Sequence, residues 1–296
     1  MKLGAALTAV LVVPSAVALT AVVGPAHAVA VCQGQPATIE GSTGTITGTE
    51  GNDVIVSTGV DTVVMALGGN DLVCVVGGEV HTGAGDDSVV STGPVGSTTV
   101  AFLFGGTDTY VGWAGISDVV VDEISSFHVT FRGSSGVMEL YPTSTPGTGT
   151  VDFGASYGYL YAFGLHTSKV DMAAQTASID DFLQVTTIGL RNATATGCKV
   201  RMKGNSANNV LDAYGHNIVS SGGGGRDSLG RVGNGFDLDL PQCGRYKSVF
   251  RGQAGPDRLF GRLGDDVLIG GTGHDVANGA GGVDTCRTEV RKNCER

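Results

Sequence analysis

The sequence predicts an all-β chain wound as a parallel β-solenoid, regular at its C-terminal end and degenerate in its middle. Three observations point there. The first is a tandem of nine-residue units, GQAGPDRLF (252–260), GRLGDDVLI (261–269), GGTGHDVAN (270–278) and GAGGVDTCR (279–287), each with Gly in its first and fourth places and Asp in its sixth. The second is a looser set of the same units near the other end: GTEGNDVIV (48–56), ALGGNDLVC (66–74) and TGAGDDSVV (82–90). The third is composition. With 49 glycines and only 6 % aromatic residues, the chain suits a narrow core of stacked Val, Leu and Ile better than a thick one.

The unit has a chemical logic. Nine residues are half of an eighteen-residue coil, six turning a corner and three making a short strand. Glycine serves where a turn takes up φ > 0 or where carbonyls converge with no Cβ in the way. In the tandem these places are Gly252, Gly255, Gly261, Gly264, Gly270 and Gly273. Aspartate at the corner offers a hard oxygen, and turn carbonyls complete a shell suited to Ca²⁺. Successive units face opposite sides, so Asp257 falls above Asp275 and Asp266 above Asp284. Carboxylates about 4.8 Å apart along such a stack repel one another, and a divalent cation between them removes the repulsion.

These units resemble the RTX, or hemolysin-type, calcium-binding repeat G-G-x-G-x-D-x-U-x. The resemblance implies a right-handed parallel β-roll with calcium in its turns, and it marks Asp257, Asp266, Asp275 and Asp284 with the turn glycines as metal-site residues. Leu259 and Leu268 fill the large apolar eighth place, while Ala277 and Cys286 depart from it. The second glycine is kept only as Gly271, being Gln253, Arg262 and Ala280 elsewhere, which bears on the affinity of individual sites. RTX toxins typically lack cysteines and a cleaved N-terminal signal. This chain carries both features, so it looks more like the small secreted calcium-binding proteins of actinobacteria, and toxin activity is not carried over.

From the N-terminus, residues 1–28 read as a signal peptide: Lys2, an apolar run from Leu3 to Val23, and Ala26-His27-Ala28 before the cleavage point. The expected destination is secreted and extracellular. No later segment has the ~20 apolar residues that span a bilayer. Residues 29–110 are N-terminal degenerate calcium-binding repeats. In them Asp71 follows Asp53 by one full coil, Asp87 comes sixteen residues later, and Asp108 is a fainter copy. In 111–200 the Gly-Asp punctuation gives way to runs such as FHVTFRG (127–133) and YGYLYAFG (157–164), an all-β signature of a degenerate solenoid or an inserted β domain. Residues 201–287, the C-terminal calcium-binding β-roll, restore the register, with Asn209 and Asp227 eighteen apart. Residues 288–296 form a disulfide-closed basic cap. About fourteen coils at ~4.8 Å each fit between 29 and 287.

Six cysteines, all beyond the cleavage point, suit an oxidising compartment. Cys286 and Cys294 enclose the short loop RTEVRKN and are the first expected pair; Cys32 with Cys74 and Cys198 with Cys243 then follow as neighbours along a solenoid.

A formal charge of −10 argues against a nucleic-acid partner, and its concentration as Asp in Gly-rich turns favours cations. Gly154-Ala155-Ser156-Tyr157-Gly158 matches G-x-S-x-G, but its flanks read as strands where a nucleophile elbow needs a following helix. His166 and His216 sit in no motif, no H-E-x-x-H is present, and spacing singles out neither Arg132 nor Arg191 as a lyase base. The expected protein is therefore non-catalytic: a secreted calcium-binding protein with a structural or surface-interaction role. The alternative is a secreted polysaccharide-acting enzyme, lyase- or hydrolase-like, built on the solenoid. The partners to test are calcium ions and cell-surface or extracellular polysaccharide.

Overall fold

A computed structural model of the chain describes residues 29–94, 96–113, 115–133, 135–142, 144–154, 157–230 and 243–296. The expected signal peptide and Ser156 lie outside the described residues. Every regular element among the described residues is a strand, and the fold is a parallel β-solenoid of about 12 turns.

Pairing skips one strand at a time. Val249 lies beside Val267 and Val267 beside Thr285, while Arg258 lies beside Val276 and Val276 beside Val290, all in parallel. Two ladders thus grow together, and alternate side chains of each point inward. At the N-terminal end Ile55 lies beside Val73 and Val73 beside Val89, although the second step is two residues shorter than the first. The turn absorbs the slip, and the strands stay in register.

The middle departs from eighteen-residue coils. Ser126 lies beside Thr148, and Gly147 beside Leu183. The long step exists because Thr176–Ile179 runs antiparallel between Thr167–Asp171 and Leu183–Ile188. This ladder therefore gains a folded-back pair of strands. In the opposite ladder Ser135–Leu140, Tyr157–Phe163 and Asn192–Lys203 follow one another in parallel. The larger coils account for about 12 turns in place of the expected fourteen or so.

One apolar cluster runs from Ile46 to Cys286. The eighth places all face it: Ile55, Val73, Val89, Leu259, Leu268, Ala277 and Cys286 are 1 % exposed or less. Ala277 and Cys286 depart from the repeat in size and not in direction. Where the coils swell, aromatic rings fill the interior. Phe131 packs 6.2 Å from Tyr110 and 5.4 Å from Phe153. Gly136 faces the Phe131 ring so closely that a Cβ there would overlap it.

Three disulfides clip the solenoid: Cys32–Cys74, Cys198–Cys243 and Cys286–Cys294. The first ties an N-terminal hairpin (Val31–Cys32 with Gln35–Pro36) to a coil. The last holds the tail against the final coil, where the N–H groups of Glu295 and Arg296 donate to the Asp284 carbonyl at 3.1 and 3.0 Å, and that of Cys286 donates to the Arg296 carbonyl at 2.9 Å. The tail thereby covers part of the open end that a solenoid would otherwise present.

Candidate metal centre

The sixth-place carboxylates form hydrogen-bonded columns. The N–H of Asp257 donates to Oδ1 of Asp275 at 2.9 Å, and that of Asp266 to Oδ1 of Asp284 at 2.8 Å. The first column continues towards the N-terminus, with Asn209 donating to Asp227 and Asp227 to Asp257, each at 2.8 Å. An N-terminal column runs from Asp53 to Asp71 and from Asp71 to Asp87, each at 2.8 Å, and from Asp87 to Asp108 at 3.0 Å. Irregular coil lengths therefore preserve the rungs.

Both C-terminal columns end on glutamates that the nine-residue pattern does not reveal. The N–H of Asp275 donates to Oε2 of Glu289 and that of Asp284 to Oε2 of Glu295, both at 2.8 Å. A second ladder uses the fifth places and runs the other way. Asn70 donates its N–H to Oδ1 of Asn52 at 2.8 Å, Asp86 to Asn70 at 3.0 Å, and Val283 to Asp265 at 3.0 Å. The Asn-Asp and Asp-Asp pairs at places five and six were the available signal for it.

The columns hold oxygen that nothing among the described residues satisfies. Oδ2 of Asp71, Asp87, Asp227, Asp257, Asp275 and Asp284 is buried with no hydrogen-bond partner. These six aspartates are 2 % exposed or less. Such an atom costs free energy unless something pairs with it. The first-place glycines complete a cradle: a Cβ on Gly252 or Gly270 would overlap Oδ2 of its own unit's aspartate, and on Gly252 also the carbonyl of Gly270. Among the described residues no three His, Cys, Asp or Glu side chains converge. A cation in these turns would therefore take much of its shell from backbone carbonyls. Carboxylate and carbonyl oxygens alone are the donor set of Ca²⁺, so the residues present fit that ion.

Two other expected ligands, Asp53 and Asp266, are already engaged, as is Asp108 of the fainter copy. Asp53 accepts from the Thr38 hydroxyl at 3.0 Å and from the Thr49 N–H and hydroxyl at 2.8 Å each. Asp266 accepts from the N–H groups of Ser248 at 2.7 Å and Arg262 at 2.6 Å. Asp108 accepts from the Thr82 hydroxyl at 3.1 Å besides its rung.

Burial, with neighbouring carboxylates adding to it, pushes Asp87, Asp227 and Asp266 up to about 6 and Asp108 to about 7. Burial raises Asp71, Asp257 and Asp284 as well. At Asp53 the upward push of burial is outweighed by the hydrogen bonds from Thr49 and Thr38, and its pKa is lowered.

The residues weighed for catalysis are scattered. Arg132, Arg191 and His166 are exposed. His216 is buried, with Nδ1 hydrogen-bonded to the Gly244 carbonyl and its ring stacked on Tyr246 at 4.1 Å. The segment that follows Ser156 is the strand Tyr157–Phe163, not the helix of a nucleophile elbow.

Among curated proteins, none matches this chain. The four carboxylate turns at the C-terminal end do match a family model, over residues 251–286. This segment is four copies of the RTX calcium-binding nonapeptide repeat.

Proposed function

We propose that the chain is a secreted, non-catalytic protein whose β-roll holds Ca²⁺ between stacked Gly/Asp turns, in a structural or surface-interaction role. The observation that carries this reading is the set of buried, unpartnered Oδ2 atoms stacked in columns. Asp227, Asp257 and Asp275 in one column and Asp284 in the other would hold calcium at the C-terminal end; Asp71 and Asp87 would hold it at the other end of the chain. A bound ion would neutralise the repelling carboxylates and link adjacent coils. For a Kd near 0.1 mM, in the range of extracellular modules, 1 mM Ca²⁺ stabilises by ~1.4 kcal/mol per site. Several sites then weigh as much as ordinary domain stability. The turns would stay loose where free calcium is scarce and tighten after export. The signal sequence and the three disulfides support secretion.

Calorimetric titration of the chain with CaCl₂, paired with thermal unfolding in calcium and in chelator, tests this. Saturable binding and a rise in Tm are expected. A chain that neither binds nor shifts would sink the reading.

Polysaccharide contact has its own support. On the outer face of one ladder a groove of about 430 Å³ is lined by Tyr157, Tyr159, Tyr161, Asp212 and Phe260 among others. The Tyr159 and Tyr161 rings stack at 4.8 Å, and aromatic faces beside a carboxylate suit sugar rings. Neither Arg132 nor Arg191 lines this groove, which favours binding over lyase chemistry. Co-sedimentation with acidic polysaccharides, with a parallel assay for released ends, separates the two.

A further inference from the structure

Whether a sixth-place carboxylate is unpartnered follows one backbone angle four residues earlier. Asp71, Asp87, Asp227, Asp257, Asp275 and Asp284 all keep a free Oδ2. The second residues of their units are Leu67, Gly83, Gly223, Gln253, Gly271 and Ala280. All are left-handed, with φ of 77°, 93°, 104°, 81°, 114° and 72°. In three other units the second residue is Thr49, Asn205 or Arg262, and none of these is left-handed. In each of those the second residue's N–H donates to the sixth-place side chain: Thr49 to Asp53 at 2.8 Å, Asn205 to Asn209 at 2.9 Å, and Arg262 to Asp266 at 2.6 Å.

The link is the peptide plane between places one and two. It is trans and rigid, so its N–H and C=O point opposite ways. Turning it over withdraws a donor from the carboxylate and brings a carbonyl round in its place. In the left-handed units that carbonyl lies against the first-place glycine of the preceding coil: Gly252 O against Gly222, Gly270 O against Gly252, and Gly279 O against Gly261. One orientation satisfies an anion, and the other assembles oxygens for a cation.

We infer that the second residue of each unit is a switch that decides whether its turn takes up calcium. Arg262 closes the Asp266 turn and Thr49 the Asp53 turn, while Leu67 and Gly83 leave open the N-terminal turns of Asp71 and Asp87, outside the matched repeat. Arg262 has a further anchor, its guanidinium lying 4.6 Å from the centre of the Tyr214 ring. The inference rests on calcium being the ligand and adds which turns accept it.

The test counts calcium ions on the full chain by native mass spectrometry and calorimetry, using Arg262→Gly, Arg262→Thr and Gly271→Thr. Arg262→Gly permits the flipped plane; Arg262→Thr removes the same side chain yet, being β-branched, holds the closed plane as Thr49 does. Arg262→Gly is expected to bind one ion more than wild type, Arg262→Thr the same number, and Gly271→Thr one fewer. Circular dichroism in chelator checks folding. If Gly271→Thr fails to fold, the Gly and Thr pair at 262 decides. Equal counts for that pair overturn the switch and leave the calcium reading standing. A wild-type chain that binds no calcium overturns both.

Discussion

Asp257 and Asp275 are eighteen residues apart in the chain and one rung apart in space. The N–H of Asp257 donates to Oδ1 of Asp275 at 2.9 Å, and both keep a buried, unpartnered Oδ2. Asp266 belongs to the other column, with Asp284. Two carboxylates that share an ion cannot lose it twice. Asp257→Asn and Asp275→Asn should therefore couple by about 0.5–3 kcal/mol in the calcium-dependent part of stability, whereas Asp257→Asn and Asp266→Asn should add to within roughly 0.5 kcal/mol. Asn retains an oxygen for the rung, so the comparison isolates the charge. Urea unfolding in calcium and in chelator measures both cycles, and coupling confined to the second pair would reject the columns.

Gln253 and Ala280 hold φ of 81° and 72° without being glycine. A left-handed L-residue costs roughly 1–2 kcal/mol, of which the looser unfolded chain of Gly takes back about 0.5–1. Gln253→Gly and Ala280→Gly should each stabilise the calcium-free chain by about 0.5–1 kcal/mol and leave the number of bound ions unchanged. Denaturant melts supply the first figure and ion counting the second. Unchanged melts would mean that these turns carry no such strain.

The strict parts of the repeat were legible in the sequence for a physical reason. A fixed period translates directly into stacking, so Asp257 over Asp275, Asp266 over Asp284 and the neighbouring cysteines all follow from counting. What breaks the period stayed hidden. Thr176–Ile179 reverses direction, yet its composition and spacing match a parallel coil's. Glu289 and Glu295 close the columns at offsets that no nine-residue template contains, using side chains one methylene longer than Asp. Alternation in FHVTFRG marks two faces but not how much room lies between them, so the stack of Phe131 on Phe153 was not foreseen. Orientation of the second-place peptide was equally illegible, because Gln, Ala and Leu are not residues from which positive φ is read.

Calcium binding and acid should oppose each other. Burial holds Asp87 and Asp227 at about 6 in the folded, ion-free chain, against about 3.9 when unfolded. The fold therefore binds these protons more tightly than the unfolded chain does. Their contribution favours folding below about pH 4 and is lost as pH rises through about 6. Calcium must displace the same protons, so its affinity should fall as pH drops through about 6. Tm measured against pH, with and without calcium, should show two curves that diverge between about pH 5 and 7. A gap that does not vary with pH would exclude proton competition at these carboxylates.

The glutamates at the C-terminal end should act as caps with a local signature. Glu289 accepts the N–H of Asp275, which holds its carboxylate below the usual range, and Glu295 accepts the N–H of Asp284. Among the described residues these glutamates take the donors that a further Asp rung takes elsewhere in the columns. Glu295→Gln keeps an acceptor at the same reach, while Glu295→Ala leaves the Asp284 amide to water. Because Cys286–Cys294 still pins the tail, the loss should appear as local opening and not as global unfolding. Hydrogen exchange at the Asp284 amide should quicken by up to roughly tenfold in the Ala variant and return towards wild type in the Gln variant. The Asp275 amide should respond in the same order to Glu289→Ala and Glu289→Gln. Equal protection in the Ala and wild-type chains would show that the tail closes the roll through its disulfide alone.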